Sequence, residues 1–398
     1  MAKAKTFEIG KLIIFLYLVA FPFGQMLRMS TFILGRVVVI QPIDIIAFAS
    51  LIYWSVGGLK NLGKLGSLGV FLLSNVFSLV LSLSYFETKE ILIGLLYFLR
   101  LIAHLSLFFV AYTQILKDAK FRDLIYQGII VVSGFTAIFG WFQYFFYPDL
   151  TSLKYINWDD HLFRLIGSFL DPGFTSIILV FGAIFALGLY FEKKNKTYLY
   201  TLVFFVVSLA FTYSRAGYLA FIAGLLVVYL KSKKDIFFLS ILGAFTLLIF
   251  FLPRSAGEGV KLERTSSVFH RYESYLTTTS LWKKAPLFGF GYNNLCSAKL
   301  KYLSFQEPES HACSGADSSI LFLLATTGIV GTIFFVFFVF RLVHLLPNSY
   351  MATGVKASIA ALLIHSQFTN SLFYPWVVGV MALSLAPFAG EFISSKKQ

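Results

Sequence analysis

Apolar residues along this chain come in long, nearly charge-free runs rather than in alternation or amphipathic stripes. They fall at 10–24, 42–57, 66–84, 91–114, 124–147, 172–191, 197–212, 215–230, 235–252, 317–340, 353–368 and 373–393. Runs of this length suit a hydrocarbon core about 30 Å thick. In lipid every backbone N–H and C=O needs an internal partner, so each run should be a helix. The pattern predicts an all-α, polytopic membrane protein of about twelve transmembrane helices.

Polar residues gather in two longer connections. Residues 148–171 contain Trp158-Asp159-Asp160-His161, and residues 253–316 mix charge, aromatics and turn formers. The spacing of Arg271, Tyr275, Thr278 and Trp282 predicts a helix inside the second, closed by Pro286, Gly289 and Gly291. No internal repeat or low-complexity linker divides the chain. Residues 1–398 therefore read as a single transmembrane domain, with 253–316 a large, partly helical extracytoplasmic loop inserted before the last three helices.

Charge orients this outline. Of the 33 Lys and Arg, 18 fall in segments on the N-terminal face, six in the short loops opposite and eight in 253–316. The positive-inside rule then puts both ends in the cytoplasm. The basic, apolar N-terminus lacks the small residues of a signal cleavage site and reads as a retained first helix.

A chain that is 58% hydrophobic and 13% charged, with mean hydropathy +0.79, is incompatible with a soluble domain. Its net charge of +14 is scattered in short clusters between apolar runs, which argues against nucleic acid. The 253–316 loop sets eight basic residues against five glutamates, a balance suited to an anionic ligand. Cys296 and Cys313 both lie there, on the side where disulfides persist, either as a bridge or as two free thiols. No Walker A, HExxH, CxxC or strand-linked GxGxxG occurs, and the 25–41 loop holds no Asp or Glu. ATP hydrolysis and a bound metal are therefore not expected, and Asp159-Asp160-His161 reads as an exposed acidic turn rather than a cation site.

Three features of the outer face have chemical content: Arg215 in FTYSRAGYLAF, Arg271 in HRYESYLTTTSLWKKAPLFGFGYNN, and the cluster SHACSGADSS before a long apolar run. Arg215 opens a span with almost no preceding loop, so its side chain points to headgroups or to the bundle mouth. Arg100 and His104, four apart on one helical face within a span, either line a cavity or pair with an Asp or backbone carbonyl. His365, Gln367 and Asn370 read as interhelical hydrogen-bonders.

SRAGYL at a span start, an outer loop with Arg followed by APLFGFGYNN, and an apolar helix ending in ATTGIVGTIFF together resemble the O-antigen ligase and O-antigen polymerase superfamily, over roughly 200–390. The resemblance implies a glycosyltransferase on the outer face of the bacterial inner membrane. It would move an oligo- or polysaccharide from undecaprenyl diphosphate to an acceptor hydroxyl, with no cofactor, nucleotide sugar or metal. The leading expectation is an O-antigen ligase acting on lipid A-core, and the alternative is a polymerase extending another glycan. A lipid-linked glycan flippase or transporter is the reading from another class, disfavoured by the missing repeat.

By the same resemblance Arg215 and Arg271 contact the diphosphate and a histidine is the general base. The family's histidine is followed by a small polar residue, about nine others and then Gly-x-x-Gly. Counting back from Gly328 and Gly331 reaches Asp317-Ser318, with His311 six residues earlier. Either His311 or Asp317 is then the base. A histidine is poised near neutral pH, whereas an aspartate needs burial to raise its pKa and neighbouring arginines oppose that. His270 and Glu273 are orienting groups or exposed loop residues.

Overall fold

A computed structural model describes residues 2–57, 66–156, 158–254, 257–306 and 311–394. It is predominantly helical. Among the described residues, seven helices are long and apolar enough to cross a membrane: Gly66–Ser84, Thr88–Lys117, Phe121–Phe146, Pro172–Lys193, Arg215–Ser232, Ser319–Leu345 and Pro375–Phe392. Five apolar helices are shorter: Ile9–Phe23, Pro42–Val56, Thr197–Ala210, Asp235–Phe250 and Tyr350–His365.

In chain order the apolar helices up to the 253–316 connection are α1 (Ala2–Ala20), α2 (Pro42–Val56), α3 (Gly66–Leu81), α4 (Thr88–Lys117), α5 (Phe121–Phe146), α6 (Pro172–Lys193), α7 (Thr197–Ala210), α8 (Arg215–Ser232) and α9 (Asp235–Phe250). The connection itself supplies α10 (Ser266–Trp282), α11 (Leu295–Leu303) and α12 (His311–Ser314). The chain ends with α13 (Ser319–Leu345), α14 (Tyr350–His365), α15 (Pro375–Leu385) and α16 (Ala389–Ser394). The purely helical expectation needs correcting in the connections. Met29–Ile33 (β1) and Arg36–Ile40 (β2) form an antiparallel hairpin, and Asp149–Leu150 (β3) pairs with His161–Leu162 (β4). The first hairpin turns at Leu34 and Gly35, both at positive φ, the backbone that matches the twist of two-residue hairpins.

The hub is α6, of whose apolar window 89% is buried, walled by α5, α7, α8 and α14. Its glycines allow this closeness: Gly182 faces Ser133 and Phe205 without room for a Cβ. A helix apolar on all sides has no solvent face to keep, so full enclosure is its stable position.

The second organising contact joins two sequence-distant segments. Helix α13, expected over 317–340, runs to Leu345 and is broken at Gly328, where φ is 67° and ψ −171°. The break frees backbone groups that residues 286–290 take up. The Phe290 N–H donates to Ala325 O (3.0 Å), Ile329 N–H to Pro286 O (2.9 Å) and Val330 N–H to Leu287 O (3.2 Å). The Ser78 hydroxyl of α3 lies 2.6 Å from Phe288 O and 2.8 Å from Thr326 O. Irregular backbone in an apolar surround survives only when protein supplies such partners.

Glycine is required on both sides of this lock. Gly289 has φ 65°, and a Cβ there would strike the Thr326 backbone, while one at Gly328 would strike the Leu287 carbonyl. Gly328→Ala should therefore lose about 3 kcal/mol or more, from left-handed strain plus overpacking. Thermal unfolding in detergent checks this against Gly69→Ala, whose Cβ meets nothing within 4 Å. Equal midpoints would refute the lock.

Candidate functional site

At the end of the bundle that carries α10–α12, three arginines converge on the turn between α7 and α8, and a fourth, Arg271, lies within electrostatic range of two of them. Tyr213 adopts φ 50°, and Ser214 caps α8 by accepting from Gly217 N–H. Arg164 is buried and donates to the carbonyls of Thr212 (3.1 Å) and Tyr213 (3.3 Å). Arg264 donates to Gly259 O and Lys261 O (2.7 and 2.8 Å) and reaches Tyr213 O at 3.5 Å. Arg215 donates to Leu262 O and Arg264 O, both at 3.1 Å, and to Ser267 Oγ at 2.7 Å. Arg271, on α10, donates to Phe368 O at 3.2 Å.

These partners are neutral. Carbonyls satisfy the guanidinium N–H groups without cancelling their charge, and among the described residues none of the four has a carboxylate in ion-pair range. Burial, with Arg215 and Arg271 nearby, pushes the Arg264 pKa down. Burial, with Arg264 nearby, brings Arg164 to about 10. With Asp159, Asp171 and Asp317 acting only from beyond ion-pair distance, the cluster is a net positive field at the mouth of the bundle, where an anion would relieve the repulsion.

Asp317 stands beside it, just before α13. Its backbone N–H donates to Ser274 Oγ of α10 at 3.2 Å. Burial raises its carboxyl above the usual range, against the opposing pull of Arg271, the Ser274 hydrogen bond and Lys299. The expectation that arginines would hold this carboxyl down is thus corrected: half-buried in the loop, it loses more from desolvation than it gains from the cations. Lys299 of α11, itself buried and brought to about 8, donates to Gly315 O at 2.8 Å.

Cys296 and Cys313 are joined as a disulfide, tying α12 to α11. The backbone of His311 opens α12, but its side chain lies outside the described residues. His270 and Glu273 face solvent, 3.9 Å apart and more than three-quarters exposed, so they orient nothing. Asp159 and Asp160 are exposed, while His161 of the same motif is buried. His365 meets Ser371 Oγ at 3.0 Å and Ser176 Oγ of α6 at 3.5 Å, and the Gln367 carbonyl accepts from Tyr275.

Arg100 and His104 belong to a separate network. Both bind Asp44 of α2: the Arg100 Nε donates to Oδ1 at 2.7 Å, its second nitrogen reaches Oδ2, and His104 Nε2 lies 2.9 Å from Oδ1. Tyr17 of α1 closes the chain, 3.1 Å from His104 Nδ1. An isolated Asp within an apolar run is a signal for such an intramembrane pair, and Asp44 was visible as one. Arg164, Arg264 and Lys299 gave no comparable sign, because loop cations are ordinarily solvated.

Below this end, an apolar cavity of about 140 Å³ opens among α3, α4, α13 and α15, lined by Phe71, Leu105, Phe335, Phe373 and Met381 among others.

These features define a multi-pass membrane protein with a cationic, partly buried site at one end of its helices. Residues 200–336, from α7 into α13, match the family described as O-Antigen ligase, and this part of the chain belongs to the O-antigen ligase and polymerase superfamily. No curated protein matches the chain.

His161 yields a test of the site's electrostatics. Burial, with Arg164 and Arg264, lowers its pKa from 6.5 to about 3. Between those values the unfolded chain binds the extra proton, so stability rises with pH across that window and is lost as pH falls. The slope should approach about 1.4 kcal/mol per pH unit. His161→Gln should flatten the pH dependence of the unfolding midpoint between pH 6.5 and the acid limit.

Proposed function

We propose that this protein is a glycosyltransferase that moves an oligo- or polysaccharide from undecaprenyl diphosphate to an acceptor hydroxyl, as an O-antigen ligase acting on lipid A-core. In this reading all twelve apolar helices cross the inner membrane, and the end carrying α10–α12 faces the periplasm. The observation that carries the proposal is the set of unpaired guanidinium charges beside the raised Asp317 carboxyl, within the family-matched stretch and above an apolar groove fit for a prenyl chain.

The acceptor oxygen attacks the anomeric carbon as its proton passes to Asp317. The bond from that carbon to the diphosphate oxygen breaks, and undecaprenyl diphosphate leaves with the electron pair. An unassisted hydroxyl is a poor nucleophile, so a base with an elevated pKa is useful here. Arg271 and Arg215 receive the charge that develops on the leaving diphosphate, through donors that fork onto phosphate oxygens. Arg215 also holds the 262–267 segment by three hydrogen bonds, so it organises the site as well as charging it. Cations already gathered in a low-dielectric setting supply this stabilisation without a metal.

Full-length protein in nanodiscs, given an undecaprenyl-diphosphate oligosaccharide and lipid A-core, should form the glycosylated core, and EDTA should not slow it. Product made only on a second glycan would identify a polymerase instead. Asp317→Asn should lower kcat by about 10²–10⁴-fold, with His311→Ala near wild type; the reverse pattern would give the base to His311. Arg271→Ala should lower kcat/KM, and Arg271→Lys should restore little of it, because a point charge lacks the guanidinium fork.

The pH profile is an independent check. A base must be deprotonated, so kcat/KM should fall as pH drops through the Asp317 pKa, at a midpoint above the ordinary aspartate value of about 3.9. Asp317→Asn should abolish that limb. An unchanged limb in the variant would exclude Asp317.

A further inference from the structure

A second cavity, polar and of about 270 Å³, shares no lining residue with the Arg164–Arg215–Arg264–Arg271 cluster and lies between the β1–β2 hairpin, Gln41 before α2, α4 and residues 293–297 at the start of α11. Three guanidiniums line it, from Arg28, Arg36 and Arg100. Arg100 is fixed by the Asp44–His104–Tyr17 network and is spent as a charge on Asp44. Arg28 stacks over Trp158 at 4.9 Å, and Arg36 makes only a long contact to Cys296 Sγ, 3.6 Å. Among the described residues neither Arg28 nor Arg36 is ion-paired, so their charges are available to an anion.

The same walls present acceptors with nothing to accept from. Gln41 is 1% exposed, its Nε2 donates to Gln25 Oε1 at 2.6 Å, and among the described residues its Oε1 has no hydrogen-bond partner. Glu90 Oε2 is likewise buried without one. A buried unpartnered oxygen costs about 1–3 kcal/mol, which a ligand hydroxyl would recover. A simple anion would use the arginines and leave Gln41 and Glu90 unmet, and a neutral sugar would do the opposite. A group carrying hydroxyls and one negative charge answers both.

We propose that this cavity binds an acidic sugar residue, one bearing a phosphoryl or carboxylate group, with Arg28 and Arg36 on the anion and Gln41 and Glu90 on the hydroxyls. Its volume is just below the ~300–1,000 Å³ of pockets for drug-sized ligands, which fits one sugar unit rather than an oligosaccharide. The cavity is lined by Ser314, three residues before Asp317, and by disulfide-bonded Cys296. In the transferase reading the occupant is the acceptor's acidic unit, in a cavity that the 314–317 segment and the disulfide connect to the transfer centre. Only this last assignment rests on the transferase reading; the binding does not.

Ligand-observed NMR on the full-length protein in nanodiscs tests the binding directly, with glucose 6-phosphate, glucuronate, glucose and inorganic phosphate as separate probes. Glucose 6-phosphate or glucuronate should bind at least tenfold more tightly than glucose and inorganic phosphate, and whichever binds identifies the acidic group. Arg28→Gln/Arg36→Gln should abolish that preference and Gln41→Leu should weaken it, while Arg215→Gln leaves it intact. Acidic sugars no tighter than glucose or phosphate, or a preference lost in Arg215→Gln and kept in the double variant, would overturn the proposal. In the transfer assay Arg28→Gln/Arg36→Gln should raise KM for the acceptor about tenfold with kcat preserved. Intact acidic-sugar binding without any transfer by the wild type would sink the transferase reading and leave the cavity assignment standing.

Discussion

The backbone exchange between residues 286–290 and the broken turn of α13 is the constraint on which the working end of this molecule depends. A helix interrupted at Gly328 would leave carbonyl and N–H groups unmet in an apolar surround. The chain leading out of α10 supplies their partners, and Ser78 of α3 ties in the neighbouring Phe288 and Thr326 carbonyls. Once 286–290 is held, α10 has a fixed exit, and α11 starts four residues beyond the Gly291 turn. The disulfide from α11 to α12 and the Lys299 contact to Gly315 then limit where the 311–318 segment can lie. Asp317 and Arg271 meet because both ends of this excursion are anchored to α13 and α14.

The site's electrostatics follow from how its arginines are satisfied. Backbone carbonyls complete their hydrogen bonding and leave their charge unbalanced. Had carboxylates filled the same positions, the cluster would be neutral and of little use to an anion. The Asp44–Arg100–His104 network shows the contrasting design a short distance away. There a carboxylate does neutralise the arginine, which suits a group buried among helices where an isolated charge would be expensive.

Much of the fold was legible because the signal was one-dimensional. Uninterrupted apolar runs can be satisfied only as helices, and each falls on an apolar helix in the structure. The helical spacing from Arg271 to Trp282 likewise falls on α10. The small hairpins were not legible, since β1 and β2 lie in a short connection whose pairing depends on two positive-φ residues at Leu34 and Gly35. The run 317–340 passes through Gly328 and falls on α13, but the break there was not legible, because only the partner at 286–290 reveals it.

Sequence by itself determined the membrane character, the positions of the helices, the superfamily of residues 200–336, and the gathering of Arg271, both cysteines, His311 and Asp317 in and beside the 253–316 connection. These depend on local composition and short motifs. The tertiary structure decided which charges remain unpaired, that burial outweighs the cations at Asp317, that Asp44 is the partner of Arg100 and His104, and that Arg28, Arg36 and Gln41 share a cavity. Those outcomes rest on desolvation and on distances between segments tens to hundreds of residues apart, quantities that no local pattern encodes.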